Sequence, residues 1–393
     1  MVYDFDQVLD RRNTSSMKWD GVVHRFGRAD ILPLWVADMD FKAPQPVIDA
    51  IAERARHGVY GYTDIPTSYH ESVVSWVRRR HGWDIQPEWM LSTPGVVPGL
   101  AVAIMAFTEP GDKVLIQSPV YPPFFSIIRE NGRELVNSQL VLAGDRYVMD
   151  FEDLEAQLDL GVKLVILCSP ANPVGRVWTR EELSRLAQMC VSRGIVIASD
   201  EIHSDIVYSS SKHIPIASLS NEVRDNTLTF IAPSKTFNLA GLATSVAIVP
   251  DPCLRERFER VLGSIGIGVN LFGITALEAA YTHGEEWLGQ VLRYLEGNLD
   301  FLCRFVDERI PGIRVIRAEG TYVIWLDCRG LGMTPRALRE FMVSRARVGL
   351  NDGVPFGPGG EGFQRINIAC PNSILGEALE RIETASKSLQ YRQ

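Results

Sequence analysis

The sequence predicts an α/β fold: a large domain with a mainly parallel sheet covered by helices on both faces, plus a smaller α+β domain from the two chain ends. Three observations carry this. Short, continuously apolar, β-branched runs recur through the middle of the chain, helix-like segments separate them, and both ends lose that alternation. A strand joined to its neighbours by crossover helices is buried on both faces, so it reads as an unbroken apolar run.

Taken in order, residues 1–50 read as an N-terminal arm and part of the small domain, 51–284 as the large domain and 285–393 as the rest of the small one. Lys113–Gln117 (K-V-L-I-Q) is a strand after the turn E-P-G-D, and Lys163–Cys168 (K-L-V-I-L-C) is another, ending at S-P. A helix over Thr179–Arg193 opens on T-R-E-E, in which hydroxyl and carboxylate satisfy amides that a helix start leaves unpaired. Ile195–Ser199, Thr227–Ala232 and Ser245–Val249 are further strands, read as members of the same parallel set. Beyond Glu285, helices over Trp287–Ile310, Arg336–Ala346 and Ser373–Leu389 interleave with strands Tyr322–Leu326 and Gln364–Ile368. Ligand is expected in the cleft between the two domains.

Composition narrows the function classes. The 393 residues are 46% hydrophobic and 22% charged, which suits a folded globular chain and not a disordered one. A net charge of −8 offers no basic surface for nucleic acid, and R-R-R-H at 78–81 reads as a solvated helix end. The six cysteines form no C-x-x-C pair and no metal-ligand spacing, so no metal site is expected. The first residues lack an apolar signal core, and no run approaches ~18 apolar residues. The expectation is a cytoplasmic protein with no membrane contact.

In parallel sheets, ligands collect at the carboxyl ends of strands. Four strand ends present chemistry there: Tyr121 in S-P-V-Y-P-P-F, Asn172 in S-P-A-N-P-V-G-R, Asp200 and His203 in D-E-I-H, and Lys235 in A-P-S-K. Each has a bland reading as well. Asn172 between prolines suits a turn, Asp200 suits a helix N-cap, His203 suits a structural hydrogen bond and Lys235 a surface charge. A carboxylate at the inner end of an apolar strand is costly to bury without a cation, however, and a lysine leaving such a strand is placed for a depressed pKa. Pyridoxal 5'-phosphate (PLP) answers both demands, with an aldehyde for a Schiff-base lysine and a pyridine nitrogen for a buried carboxylate. Tyr121 then serves as the flat partner of the ring and Asn172 as donor to its phenolate oxygen. M-L-S-T-P-G-V-V-P-G-L at 90–100 offers the phosphate a helix start, where Gly95 allows close approach and Val96 and Val97 supply amides. No G-x-x-x-x-G-K-[ST] loop competes for that role.

The chain resembles the PLP enzymes of the aspartate aminotransferase fold, and within them the cystathionine β-lyase-like C–S lyases (the MalY/PatB group). The resemblance rests on P-L-W-V-A-D-M-D-F at 33–41, G-V-Y-G-Y-T at 58–63, A-N-P-V-G-R at 171–176, S-D-E-I-H-S-D at 199–205, A-P-S-K-T-F-N-L-A-G-L at 232–242 and R-I-N-I-A-C-P at 365–371. It implies that Lys235 forms the Schiff base, Asp200 holds the pyridine nitrogen, and Asn172 and His203 lie near the phenolate oxygen. Tyr121 would stack on the ring, while Gly95, Val96, Val97 and Ser234 bind phosphate, joined by Tyr62 from a second subunit of a homodimer with shared active sites. Arg365 would clamp the α-carboxylate of an amino-acid substrate, with Trp35 and Tyr60 sensing its leaving group. Tyr121 or Tyr62 would assist proton transfer to sulfur. The implied reaction is α,β-elimination of L-cystathionine or related S-substituted L-cysteines to a thiol, pyruvate and ammonia. The alternatives are an aminotransferase on the same residues and, third, a regulatory binding protein. Many aminotransferases of this fold carry arginine eight residues after the lysine; Ala243 stands there, which favours the lyase branch.

Overall fold

A computed structural model describes residues 1–390. The apolar runs become a seven-stranded sheet of β1 (Met90–Thr93), β2 (Lys113–Ile116), β3 (Glu134–Asn137), β4 (Val162–Cys168), β5 (Val196–Asp200), β6 (Thr227–Ile231) and β7 (Ser245–Ile248). Their order across the sheet is β1-β7-β6-β5-β4-β2-β3. The contiguous block β6-β5-β4-β2-β3 is parallel throughout.

One expectation is corrected here. β7 runs antiparallel to both its neighbours, β6 and β1. Residues between β6 and β7 form only the short helical turns Pro233–Thr236 and Ala240–Leu242. With no crossover helix to carry the chain back across the sheet, it re-enters at the edge it left. The sequence could not show this, because all four residues of β7 are buried and a strand buried on both faces has the same pattern in either direction. The result matters for the site. β1, antiparallel to β7, points the same way as the central strands, so its end delivers Gly95 to the same sheet edge as Asp200 and Lys235.

Helices cover both faces. On one, α1 (Val96–Phe107) packs Leu100, Ala103 and Ile104 against Leu164, Ala198 and Phe230 of the sheet. Its approach is close enough that a Cβ at Gly99 would lie 2.8 Å from the Phe230 ring. On the other face, α2 (Arg180–Val191) packs Leu183, Leu186 and Cys190 against Val165, Leu167 and Ile197. It begins with the capping box expected of T-R-E-E, between Thr179 and Glu182.

A second, four-stranded antiparallel sheet follows: β8 (Arg314–Ile316), β9 (Val323–Asp327), β10 (Asn351–Asp352) and β11 (Phe363–Asn367), ordered β8-β9-β11-β10. The long helices α3 (Glu285–Arg309) and α4 (Asn372–Gln390) match the expected ones within two residues. The helix expected over Arg336–Ala346 is instead a short α-helix, Pro335–Glu340, widening into a π-turn over Phe341–Ala346, with Phe341, Met342 and Ala346 buried. The N-terminal segment joins this region. Leu32–Pro33 pairs in parallel with Val348–Gly349, and the Asn367 amide donates to the Leu34 carbonyl at 2.9 Å. From Leu34 to Phe41 the chain forms a strap between the two sheets. Asn367 Nδ2 donates to the Val36 and Asp38 carbonyls from one side, and Asn238 Nδ2 donates to those of Met39 and Phe41 from the other.

Candidate active site

The carboxyl ends of β1, β4, β5 and β6 surround a cavity of about 180 Å³. Asp200 ends β5 and is 4% exposed. Its Oδ1 accepts the Ile202 amide at 3.0 Å, and among the described residues no cation forms an ion pair with it. Burial pushes its pKa up to about 7, against the opposing pull of the nearby Lys235. Such a carboxyl calls for a positively charged N–H in the cavity. His203 lines the same cavity; burial first, then the charges of Lys235 and Arg365, push it down to about 3, so its ring is neutral. His203 Nδ1 is buried without a partner among the described residues.

Lys235 stands on the single helical turn that follows β6, and its Nζ donates to the Ala37 carbonyl of the strap at 2.7 Å. Burial, reinforced by the charge of Arg365, lowers its pKa from 10.5 to about 8. A lysine so placed is neutral for an appreciable fraction of the time near neutral pH, which is the form that attacks a carbonyl. The acid and the base of the cavity have thus been moved toward each other by one cause, loss of water.

Arg365 lies in β11 directly opposite Asn351 of β10. Its Nη2 donates to Asn351 Oδ1 at 2.9 Å and to the Trp35 carbonyl at 3.1 Å, and its Nη1 donates to Asn172 Oδ1 at 3.0 Å. The guanidinium also lies over the Phe356 ring, 5.1 Å from its centroid. Burial lowers its pKa to about 10, which still leaves it a cation at neutral pH. Because Asn172 spends its carbonyl oxygen on Arg365, its amide nitrogen is the atom left for a ligand in the cavity.

At the far end, α1 opens at Gly95 with no side-chain cap, and Pro98 contributes no N–H. The amides of Val96 and Val97 are therefore free to meet an anion, and the helix dipole favours one. Ser234 and Thr244 add hydroxyls to this end of the lining, and Thr244 Oγ1 is buried without a partner. Ala243, in the left-handed region at φ 45°, lines the cavity where an arginine would have brought a cation. A carboxyl awaiting a charged N–H, a lysine depressed toward neutrality, an uncapped helix start flanked by hydroxyls and the half-buried ring of Tyr121 make a donor set that fits PLP.

The structure brings Lys235, Asp200, Asn172, His203, Tyr121, Gly95, Val96, Val97 and Ser234 to this one cavity, with Arg365 behind Asn172. Trp35, Tyr60 and Tyr62 are not among the lining residues. The Trp35 indole turns away, donating to the Lys18 carbonyl and packing on Phe26, so its backbone oxygen is what reaches the site. Tyr60 donates to the Ala55 carbonyl on the surface, and Tyr62 is fully exposed. Sequence reasoning missed Asn351, Thr244 and Tyr322, whose hydroxyl shares the Ala37 carbonyl with Lys235 at 3.0 Å. Of these, Asn351 had a readable signal only through its register opposite Arg365.

The chain is similar to known proteins across nearly its whole length. Residues 29–382 match the family model of class I and II aminotransferases. Cystathionine beta-lyase PatB of Bacillus subtilis strain 168 is 43% identical over 97% of this chain and 99% of its own. Among solved structures, cystalysin from Treponema denticola, which contains pyridoxal 5'-phosphate, superposes with a TM-score of 0.96 at 38% identity over 99% of this chain and 100% of its own. A PLP-bound protein of Clostridium difficile 630, assigned as an aminotransferase, gives 0.96 at 46% identity over 98% and 100%. With the family model matched over residues 29–382 and a relative 43% identical over 97% of this chain, the chain belongs to the class I and II aminotransferase family.

Proposed function

We propose that this chain is a PLP-dependent C–S lyase that converts L-cystathionine, or a related S-substituted L-cysteine, and water into a thiol, pyruvate and ammonia. One observation carries the reading: a lysine and a carboxyl share one cavity with an uncapped helix start, while an arginine behind its wall is joined to an asparagine of the lining. When bound, the cofactor supplies an electron sink for charge that develops at the substrate Cα. Asp200 would hold the pyridine nitrogen, Asn172 Nδ2 the phenolate oxygen, and Val96, Val97, Ser234 and Thr244 the phosphate. Arg365 holds the α-carboxylate and fixes the Cα–H bond toward Lys235. Lys235, its pKa lowered by burial, takes that proton in its neutral form. Burial also raises Tyr121 above the ordinary phenol range, so it keeps its proton until the sulfur departs and is the group of this chain suited to donate it.

Two facts favour elimination over amino-group transfer. The cavity lacks the arginine at position 243, and the relative at 43% identity is named a cystathionine beta-lyase. The enzyme acts, on this reading, as a cytoplasmic homodimer. In support, all six cysteines are free, and Val59, Tyr60 and Tyr62 stand 63%, 59% and 111% exposed in one stretch that a second copy would cover. The test is incubation of the PLP-loaded protein with L-cystathionine. Pyruvate and free thiol in equal amounts are expected; amino-group transfer to a 2-oxo acid without thiol release would overturn the assignment.

A further inference from the structure

Behind the cavity lies a second set of buried charged groups that the reaction does not use. Asp205, five residues past the end of β5, is 3% exposed. Its carboxylate accepts from Trp76 Nε1 at 3.2 Å, from His81 Nε2 at 3.1 Å and from Thr236 Oγ1 at 2.8 Å, with Arg80 Nε at 3.8 Å. A neighbouring pair, His213 and Glu201 at 2.7 Å, sets its imidazole 5.3 Å from that of His81.

Burying a carboxylate is costly unless its partners are well placed, and an apolar group of similar shape often serves stability as well. The partners here are informative. Trp76, Arg80 and His81 come from one helix, Thr67–His81, whereas Thr236 comes from the turn that carries Lys235. That turn is only Pro233–Thr236, and its start has no side-chain cap. Successive residues of a helical turn point about 100° apart, so Thr236, fully buried, holds a different side of the turn from the one that presents Lys235. Among the described residues, Thr236 makes no other side-chain hydrogen bond, so Asp205 is what its hydroxyl holds.

We infer that Asp205 is a positioning residue for Lys235. It fixes the rotation of the lysine turn through Thr236 and thereby aims Nζ at the reacting carbon. The inference rests on the reading of Lys235 as the cofactor-linked base. Its consequence is that the helix Thr67–His81, which contributes nothing to the cavity wall, sets the geometry of the catalytic lysine.

The experiment compares Thr236→Val, Thr236→Ser and Asp205→Asn with wild type as holoenzymes. It measures kcat and KM for L-cystathionine, the visible absorption band of the bound cofactor, and borohydride capture at Lys235 by peptide mass. Melting temperature reports folding. Thr236→Val keeps the shape of threonine without the hydroxyl and is expected to lower kcat about tenfold or more, since small misplacements of a reacting group are costly. KM should stay within twofold, the absorption band should shift and capture at Lys235 should slow by a similar factor. Asp205→Asn should behave alike, and Thr236→Ser should restore all of these readouts. Wild-type rate, spectrum and capture in folded Thr236→Val would overturn the inference alone. Capture of wild type at a residue other than Lys235 would overturn the functional reading and this inference with it.

Discussion

Arg365→Lys tests the carboxylate clamp. Arginine has five N–H donors and lysine three. Three of the arginine donors are engaged by Asn172, Asn351 and the Trp35 carbonyl, which leaves the buried Nε–H and one N–H of Nη1 uncommitted among the described residues. A lysine cannot reach three protein acceptors on different sides and a substrate carboxylate from a single nitrogen. Charge is not the variable, because Arg365, with a pKa of about 10, and an ordinary lysine are both cations at pH 8. What is lost is at least one charge-assisted hydrogen bond to the substrate, worth about 1.5–3 kcal/mol. At 1.4 kcal/mol per factor of ten, KM for L-cystathionine should rise roughly tenfold to 150-fold. Substrate and transition state carry the same carboxylate, so kcat should move far less than KM. Steady-state pyruvate release, with a melting curve to confirm folding, gives both constants. A KM within twofold of wild type in a folded variant would refute the clamp.

Lys235→Ala should abolish turnover while retaining some cofactor, and Asp200→Ala should lose both; substantial pyruvate release by Lys235→Ala would contradict the role of the lysine. Lys235 has its pKa lowered from 10.5 to about 8, so its neutral form grows as pH rises through 8. The rate at which the apo-protein attaches PLP, followed by absorbance, should therefore climb from pH 6 and level off above about 9; a midpoint near the ordinary lysine value would refute the desolvation argument. Gly175 has φ 69°, and a Cβ there would lie 2.5 Å from the Ala318 side chain. Gly175→Ala should cost about 2–5 kcal/mol, from left-handed strain and overpacking together. An unchanged melting temperature would show that the contact between the Asn172 loop and the 318–320 segment is slack.

The strand ends were legible because one physical rule governs them. Apolar runs buried on both faces announce themselves, and the polar residue after each is the one brought to the sheet edge. Tyr121, Asn172, Asp200 and Lys235 all follow from that rule. The direction of β7 was not legible, since its residues are buried identically either way and only the missing crossover helix decides. Asn351 and Tyr322 were hidden for a different reason. Their roles depend on pairing across the small sheet and on a carbonyl contributed by a segment far away in sequence. The Trp35 carbonyl accepts from Arg365, and a backbone oxygen has no sequence signature.

The strap from Leu34 to Phe41 has a bearing on how the protein comes into being. Its carbonyls at Ala37 and Trp35 accept from residues 198 and 330 positions later in the chain. Contacts of such separation are the slow ones to close in folding. On a ribosome, the lysine turn is made long before Arg365 and Asn367 exist to fasten the strap from its other side. The N-terminal segment must therefore wait, unfastened on that side, through most of synthesis. A finished site appears only as the last strand of the small sheet emerges, so a truncated chain retains the lysine and carboxyl of the large sheet but lacks the clamp that would hold a substrate against them.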